Sequence, residues 1–224
     1  MRATGCKIVI TGLAMLLWLP VSLLLSMSIW AADFQVTDSE LEKCLLNIAE
    51  SKQWLQPDEF TSIKCHGKGV KSLRGLEQFT QLETLSLYNN KLQHVDMDLT
   101  QLKHLKMLNL ARNNLASLTI VDAPRLEVVY AFSNRIKTLQ LTNLAQLNML
   151  KVNNNTIETF SYLDIPLLSK IYIFNNQLET INIHELPALR YMDCRENPMP
   201  DELYDEMDRK EAITFLHDGN AEDW

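Results

Sequence analysis

Residues 82–92 read Leu-Glu-Thr-Leu-Ser-Leu-Tyr-Asn-Asn-Lys-Leu, with apolar residues at Leu82, Leu85, Leu87 and Leu92 and an asparagine at Asn90. The alternation at Leu85 and Leu87 is the period-two pattern of a strand with one buried face. Downstream the same spelling returns as Leu105, Leu108, Leu110, Asn113, Leu115, and then as Leu126, Val129, Ala131, Asn134, Ile136. Three further passes are Leu147, Leu150, Val152, Asn155, Ile157; Leu168, Ile171, Ile173, Asn176, Leu178; and Leu189, Met192, Cys194, Asn197, Met199. Upstream lies a degenerate first pass, Phe60, Ile63, Cys65, Lys68, Val70. Successive passes start 22, 23, 21, 21, 21 and 21 residues apart. A fixed period of this size marks a stack of small units, each too small to bury its own apolar face.

The pattern L-x-x-L-x-L-x-x-N-x-L over residues 60–199 resembles the leucine-rich repeat family. The second half of each pass alternates as well, at Val95 and Met97, Leu118 and Ile120, Leu139 and Leu141, Phe160 and Tyr162, and Ile181 and Ile183. That doubled pattern is similar to the bacterial 21-residue IRREKO-type repeat, with some likeness to internalin-type repeats. The expected fold is a strand-rich leucine-rich repeat solenoid of the α/β class. It has a parallel β ladder on its concave side, a second short strand in each repeat and an N-terminal helical cap. Strands stack at about 4.8 Å, so the inward columns fuse into one core. Asn90, Asn113, Asn134, Asn155, Asn176 and Asn197 are expected to form a structural ladder, their amides satisfying backbone groups where the chain leaves each strand.

Composition agrees with a scaffold. The chain of 224 residues holds 38 leucines and 17 asparagines but only six glycines, which argues against a glycine-loop nucleotide enzyme. A net charge of −7 argues against a phosphate-backbone partner, so no nucleic acid is expected. The five histidines, His66, His94, His104, His184 and His217, fall in different repeats and registers, and no HExxH, GxSxG, P-loop or paired-cysteine spacing occurs. Asp96 and Asp98 near His94 read as solvated loop acids. The expectation is a non-enzyme without metal or cofactor.

Residues 1–32 differ in kind from the rest. Arg2 and Lys7 precede an almost wholly apolar run from Ile8 to Trp30, followed by Ala31 and Ala32. This is the pattern of a secretory signal peptide, and the run of about 23 residues is also long enough for an uncleaved anchor. Either reading exports the remainder to the periplasm, the cell surface or the medium, with membrane association only if the segment stays uncleaved. Residues 33–59 are expected to cap the stack with a helix. Ser39 with Glu42 matches a capping box, and Leu41, Cys44, Leu45 and Ile48 share one face. Cys44 on that face and Cys65 in an inward strand position are expected to form a disulfide, closing a loop whose constraint contributes about 3 kcal/mol. Cys194 fills a leucine column as a buried free thiol. Residues 200–224 are expected to be an acidic C-terminal cap, with Leu203 and Met207 on one helical face and Ile213, Phe215 and Leu216 lying over the last repeat.

With the inward positions committed to the core, function falls to the outward columns of the first strand. Tyr88, Met107, Val128, Tyr130, Phe132, Met149, Tyr172, Phe174 and Tyr191 would form a contiguous apolar-aromatic patch, with Lys151, Lys170, Arg190, Asp193 and Arg195 at its border. Aromatic and Met residues with charge nearby are the composition of an interface centre. The expected function is therefore recognition of a protein partner by a monomer through the concave face. The alternative is a carbohydrate or cell-wall polymer, since aromatic rows also stack on sugar rings. The second-strand columns, with Thr138, Thr159 and Thr180, read as plain solvated surface.

Overall fold

The computed structural model describes residues 34–219, which lie within one compact unit. The signal or anchor segment expected at 1–32 is outside the described residues. The first helix, α1 (Ser39–Lys52), buries Leu41, Cys44, Leu45 and Ala49. Its cap differs from the expected Ser39–Glu42 box: Asp38 is the N-cap. One carboxylate oxygen of Asp38 accepts from the backbone N–H groups of Glu40 (2.9 Å) and Leu41 (3.0 Å), and the other from those of Lys71 (2.8 Å) and Ser72 (3.3 Å). The Asp38 carboxylate thus reaches both the helix start and the first repeat turn, and it joins cap to stack. Partial burial alone would raise its pKa, but these four N–H donors outweigh burial and hold it below the usual 3.8.

Cys44 and Cys65 form a disulfide with Cα atoms 5.9 Å apart, fixing the middle of α1 to the first strand. Beside it, Phe34, Trp54, Phe60 and Phe79 make an aromatic plug, with Phe60 and Phe79 centroids 4.9 Å apart and Trp54 and Phe60 5.1 Å apart. Gly75, at φ 98°, lies under this N-terminal segment, and a Cβ there would stand 2.2 Å from the Gln35 carbonyl.

Seven short strands follow the passes: β1 (Ser62–Lys64), β2 (Thr84–Ser86), β3 (Met107–Asn109), β5 (Val128–Tyr130), β7 (Met149–Lys151), β9 (Lys170–Tyr172) and β10 (Tyr191–Asp193). Between them run β4 (Ser117–Val121), β6 (Thr138–Thr142) and β8 (Thr159–Leu163). The first set pairs in parallel and in constant register, Leu85 against Leu108, Leu108 against Val129, Val129 against Leu150. The set β4, β6 and β8 forms a separate three-stranded parallel sheet. The central residue of every strand in the longer ladder is buried, and the inward columns build one continuous core.

Two features depart from the sequence expectation. A second strand is present in three passes rather than in each. In the Val95–Met97 segment the Asp96 carboxylate accepts from the Leu73 N–H (2.7 Å) and the Ser72 hydroxyl (2.6 Å), so a side chain takes the place of ladder bonds. At Ile181–Ile183 the neighbouring β8 carries Phe160 and Tyr162 where β6 has Leu139 and Leu141. These larger rings are only half-buried, and the Tyr162 hydroxyl donates to the Asn182 carbonyl. Among the described residues no backbone hydrogen bond joins β8 to 179–184. The second departure lies in the C-terminal cap. Helix α2 (Asp201–Asp208) buries Tyr204 and Met207, while Leu203 is half-buried. The chain then adds an eighth rung, β11 (Thr214–Leu216), pairing parallel to β10 through Met192 and Phe215. The stack is thus closed by Tyr204, Met207, Phe215 and His217, with His217 stacked on Tyr204 at 4.6 Å. Cys194 is buried beside Met207, and burial, with Asp193 and Asp218 nearby, pushes its thiol up to about 12.

At each turn out of the longer ladder one residue adopts the left-handed conformation: Asn89, Arg112, Ser133, Asn154, Asn175 and Glu196, with φ between 53° and 58°. That conformation costs a non-glycine residue roughly 1–2 kcal/mol. The following asparagine offsets it. Asn155 Oδ1 accepts from the Ile136 N–H of the preceding pass (3.1 Å), while its Nδ2 donates to Ala131 O of that pass (3.1 Å) and to Val152 O of its own (2.9 Å). Asn113, Asn134, Asn176 and Asn197 repeat the arrangement. At the first turn Asn90 Oδ1 accepts from Lys68, Gly69 and Val70 together.

Replacing Asn155 with alanine leaves the buried Ile136 N–H unpaired, at about 1–3 kcal/mol, and takes one of two amide donors from each of Ala131 O and Val152 O. The expected loss is about 3 kcal/mol in a urea unfolding titration, against a change within about 0.5 kcal/mol for the exposed Thr138→Ala. The Asp38 carboxylate has a lower pKa folded than unfolded, so its stabilisation is present above the ordinary Asp range and lost as pH falls through the folded value. The stability gap between the protein and Asp38→Asn is therefore expected to shrink from about pH 6 to about pH 2. A gap independent of pH would contradict the role given to this carboxylate.

Candidate partner-binding face

Because strand residues alternate, the side chains flanking each buried centre share the outer face of the eight-stranded sheet. Three columns result. The first runs Ser62, Thr84, Met107, Val128, Met149, Lys170, Tyr191, and the second Lys64, Ser86, Asn109, Tyr130, Lys151, Tyr172, Asp193. The third, His66, Tyr88, Ala111, Phe132, Asn153, Phe174, Arg195, lies past the strand ends. The ladder continues there through bonds such as Arg112 N–H to Phe132 O (2.9 Å) and Asn154 N–H to Phe174 O (3.0 Å).

All eleven residues singled out from sequence lie on this face and all are half-buried: Tyr88, Met107, Val128, Tyr130, Phe132, Met149, Lys151, Tyr172, Phe174, Tyr191 and Arg195. Several touch. The Lys151 ammonium lies 4.3 Å from the Tyr172 ring centre and 5.8 Å from that of Tyr130. Tyr172 and Tyr191 rings are 5.1 Å apart, and the Tyr130 hydroxyl lies 3.8 Å from the Met149 sulfur. Tyr88 and Phe132, two rungs apart, approach to 6.5 Å because the intervening residue is the small Ala111. Burial, with Asp193 and Tyr172 adding to it, raises the Tyr191 hydroxyl pKa. Asp193 is buried and accepts two bonds from the Arg195 guanidinium, at 2.9 and 2.8 Å, which holds the Arg195 proton more firmly.

Sequence reasoning missed Arg112. It occupies a turn, outside the strand columns, yet its guanidinium lies 5.6 Å from the Tyr88 ring centre and so belongs to the face. The signal was present in the left-handed position before each asparagine, where a long side chain is thrown back over the preceding rung. His66 lies 2.7 Å from the Ser86 hydroxyl, but Ser86 is only 4% exposed, beneath the surface. The grouping offers cation–π contacts, apolar area and amide groups, the means of recognition. No cluster of metal-ligating side chains occurs among the described residues.

Residues 80–136 match the Leucine rich repeat family, and leucine-rich repeats are what the structure builds. No curated protein matches the chain. Among solved structures, a leucine-rich repeat protein of Leptospira interrogans is similar at 21% identity and a TM-score of 0.46, covering 63% of this chain and 44% of that one. The functional domain of InlJ from Listeria monocytogenes, described as including a cysteine ladder, is 18% identical, with a TM-score of 0.34 and coverage of 64% and 46%. An internalin, InlF, from Listeria monocytogenes is 16% identical, with a TM-score of 0.35 and coverage of 80% and 75%. The chain thus spans less than half the length of the first two.

Proposed function

We propose that this protein is an exported, monomeric, non-enzymatic recognition module that binds a partner protein through the outer face of its eight-stranded sheet. The carrying observation is the Tyr130–Lys151–Tyr172 group within a band of half-buried aromatic and methionine side chains. Such side chains leave water at little entropic cost, because packing against neighbouring rungs already limits their rotamers. An apolar band of this kind, edged by Arg and Lys, has the make-up of an interface centre. Export is supported by the Cys44–Cys65 disulfide, since such bonds persist in oxidising compartments, and by the apolar segment at the N-terminus.

Recognition of a carbohydrate or cell-wall polymer through the same rows is the weaker reading. Stacking on a sugar needs an open ring face, and Lys151 stands over one face of Tyr172. The tilt of 44° between Tyr172 and Tyr191 also denies a pyranose a flat platform across the pair.

The test is the paired substitution Phe132→Glu and Phe174→Glu, with Thr138→Glu and Thr159→Glu on the three-stranded sheet as the control. Capture of the partner from envelope or host extract is expected to fall about tenfold or more for the first pair and to be unchanged for the second, each protein retaining cooperative melting. Undiminished capture by a folded Phe132→Glu/Phe174→Glu protein would sink the assignment of this face.

A further inference from the structure

Charge is distributed unevenly over this molecule. The chain carries 28 acidic and 21 basic residues. Yet on the first six rungs the three outward columns of the longer sheet contain Lys64, Lys151 and Lys170 and no carboxylate, and Arg112 leans over the same face. The acids of this face are confined to its last rungs: Asp193 binds Arg195, Asp218 accepts from the Glu196 N–H at 2.9 Å, and the exposed Glu196 holds there the turn position that Arg112 holds on rung three. At the strand-start edge Lys106 is paired with Glu83 at 3.1 Å, and the exposed Glu127 follows one rung on. Among the described residues, Lys64, Arg112, Lys151 and Lys170 have no carboxylate within ion-pairing distance. Lys151 and Arg112 are instead poised over aromatic rings, which orders them in advance of any partner.

An excess of acid elsewhere makes this separation costly to association with anything but a complementary surface. We propose that the partner presents an acidic, extended polypeptide segment to this face. This rests on the recognition face assigned above and adds the chemistry of what it binds. The cations are spread along the face: Lys64 belongs to rung one, the Arg112 guanidinium lies over Tyr88 of rung two, and Lys151 and Lys170 belong to rungs five and six. Four rungs at about 4.8 Å separate Lys64 from Lys151 and an extended chain rises about 3.3 Å per residue, so carboxylates about six residues apart, on the same side of the chain, reach the two ends of this row. The residues between them rest on Met107, Phe132 and Met149. A sulfated glycan also carries repeated anions but has no apolar side chains to set against that band, and a polypeptide has both.

A random-peptide display library, panned on the full chain and on its Lys64→Glu/Lys151→Glu/Lys170→Glu variant, tests the proposal. Lys64 and Lys170 are exposed and Lys151 half-buried, so the variant is expected to fold, and Lys→Gln at the same positions serves as a milder second variant. Enriched peptides are expected to carry two groups of Asp or Glu about six residues apart with apolar residues between. They should bind the charge-reversed variant about tenfold or more weakly, and lose affinity as NaCl rises from about 0.05 to about 0.5 M. Enrichment of neutral or basic peptides overturns the proposal, as does equal binding to the reversed variant or failure to enrich any peptide. Heparin binding that depends on the three lysines, without acidic peptides, overturns it in favour of a polyanionic glycan. The Phe132→Glu/Phe174→Glu protein separates the two levels. Neutral peptides lost on that protein leave the face intact and remove only the acidic partner, whereas acidic peptides retained by it remove the face itself.

Discussion

Each repeat leaves backbone N–H and C=O groups turned inward at the point where the chain leaves the strand, and buried groups of this kind must find partners. The asparagine side chain supplies them across two passes at once. Leu110 O, for example, receives an N–H from Asn113 of its own pass and another from Asn134 of the next. No other side chain of this length offers both an acceptor and two donors at neutral pH. Without it, the left-handed turn residue and the buried carbonyls would oppose stacking at every rung. With it, the strands are held at constant register, and the leucine columns can fuse into one core.

That constraint also shapes the functional face. Because the ladder fixes every rung at the same spacing, side chains two residues apart on a strand recur as straight columns, and neighbours in a column touch. Lys151 lies between Tyr130 and Tyr172 for this reason alone: they are consecutive rungs of one column. The ends are fixed by different means. At the front, Asp38, the Cys44–Cys65 disulfide and the Phe60 plug bind a helix over the first pass. At the back, α2 and β11 close the core with Tyr204, Met207 and Phe215. A linear stack with secured ends presents its outer face as a rigid surface, and little conformational entropy is lost when a partner binds it.

The repeat, the ladder and the outward columns could be read from the sequence because they follow a strict period, and each residue's environment is set by its place in that period. What escaped lay where the period fails or where two parts of the chain meet. Asp38 contacts the turn at Lys71 and Ser72, a partnership no local helix rule contains. Strand β11 was hidden because its rung begins 23 residues after the last and places Ala212 and His217 where earlier passes have Leu189 and Cys194. The missing second strand at Ile181–Ile183 follows from the bulk of Phe160 and Tyr162, which match the apolar pattern but exceed the size of the columns they enter. Arg112 was overlooked because a turn position is not part of the strand alternation that identified the rest of the face.

Cross-linking mass spectrometry with an amine-reactive reagent, on the native protein with its partner bound, tests the central assignment most directly, because the lysines mark different sides of the molecule. Lys151 and Lys170 stand on the outer face of the eight-stranded sheet, Lys91 in the turn beyond it and Lys137 at the start of β6 on the other sheet. The expected result is inter-protein links from Lys151 and Lys170. Links confined to Lys91 and Lys137 would contradict it and place recognition on another side of the solenoid.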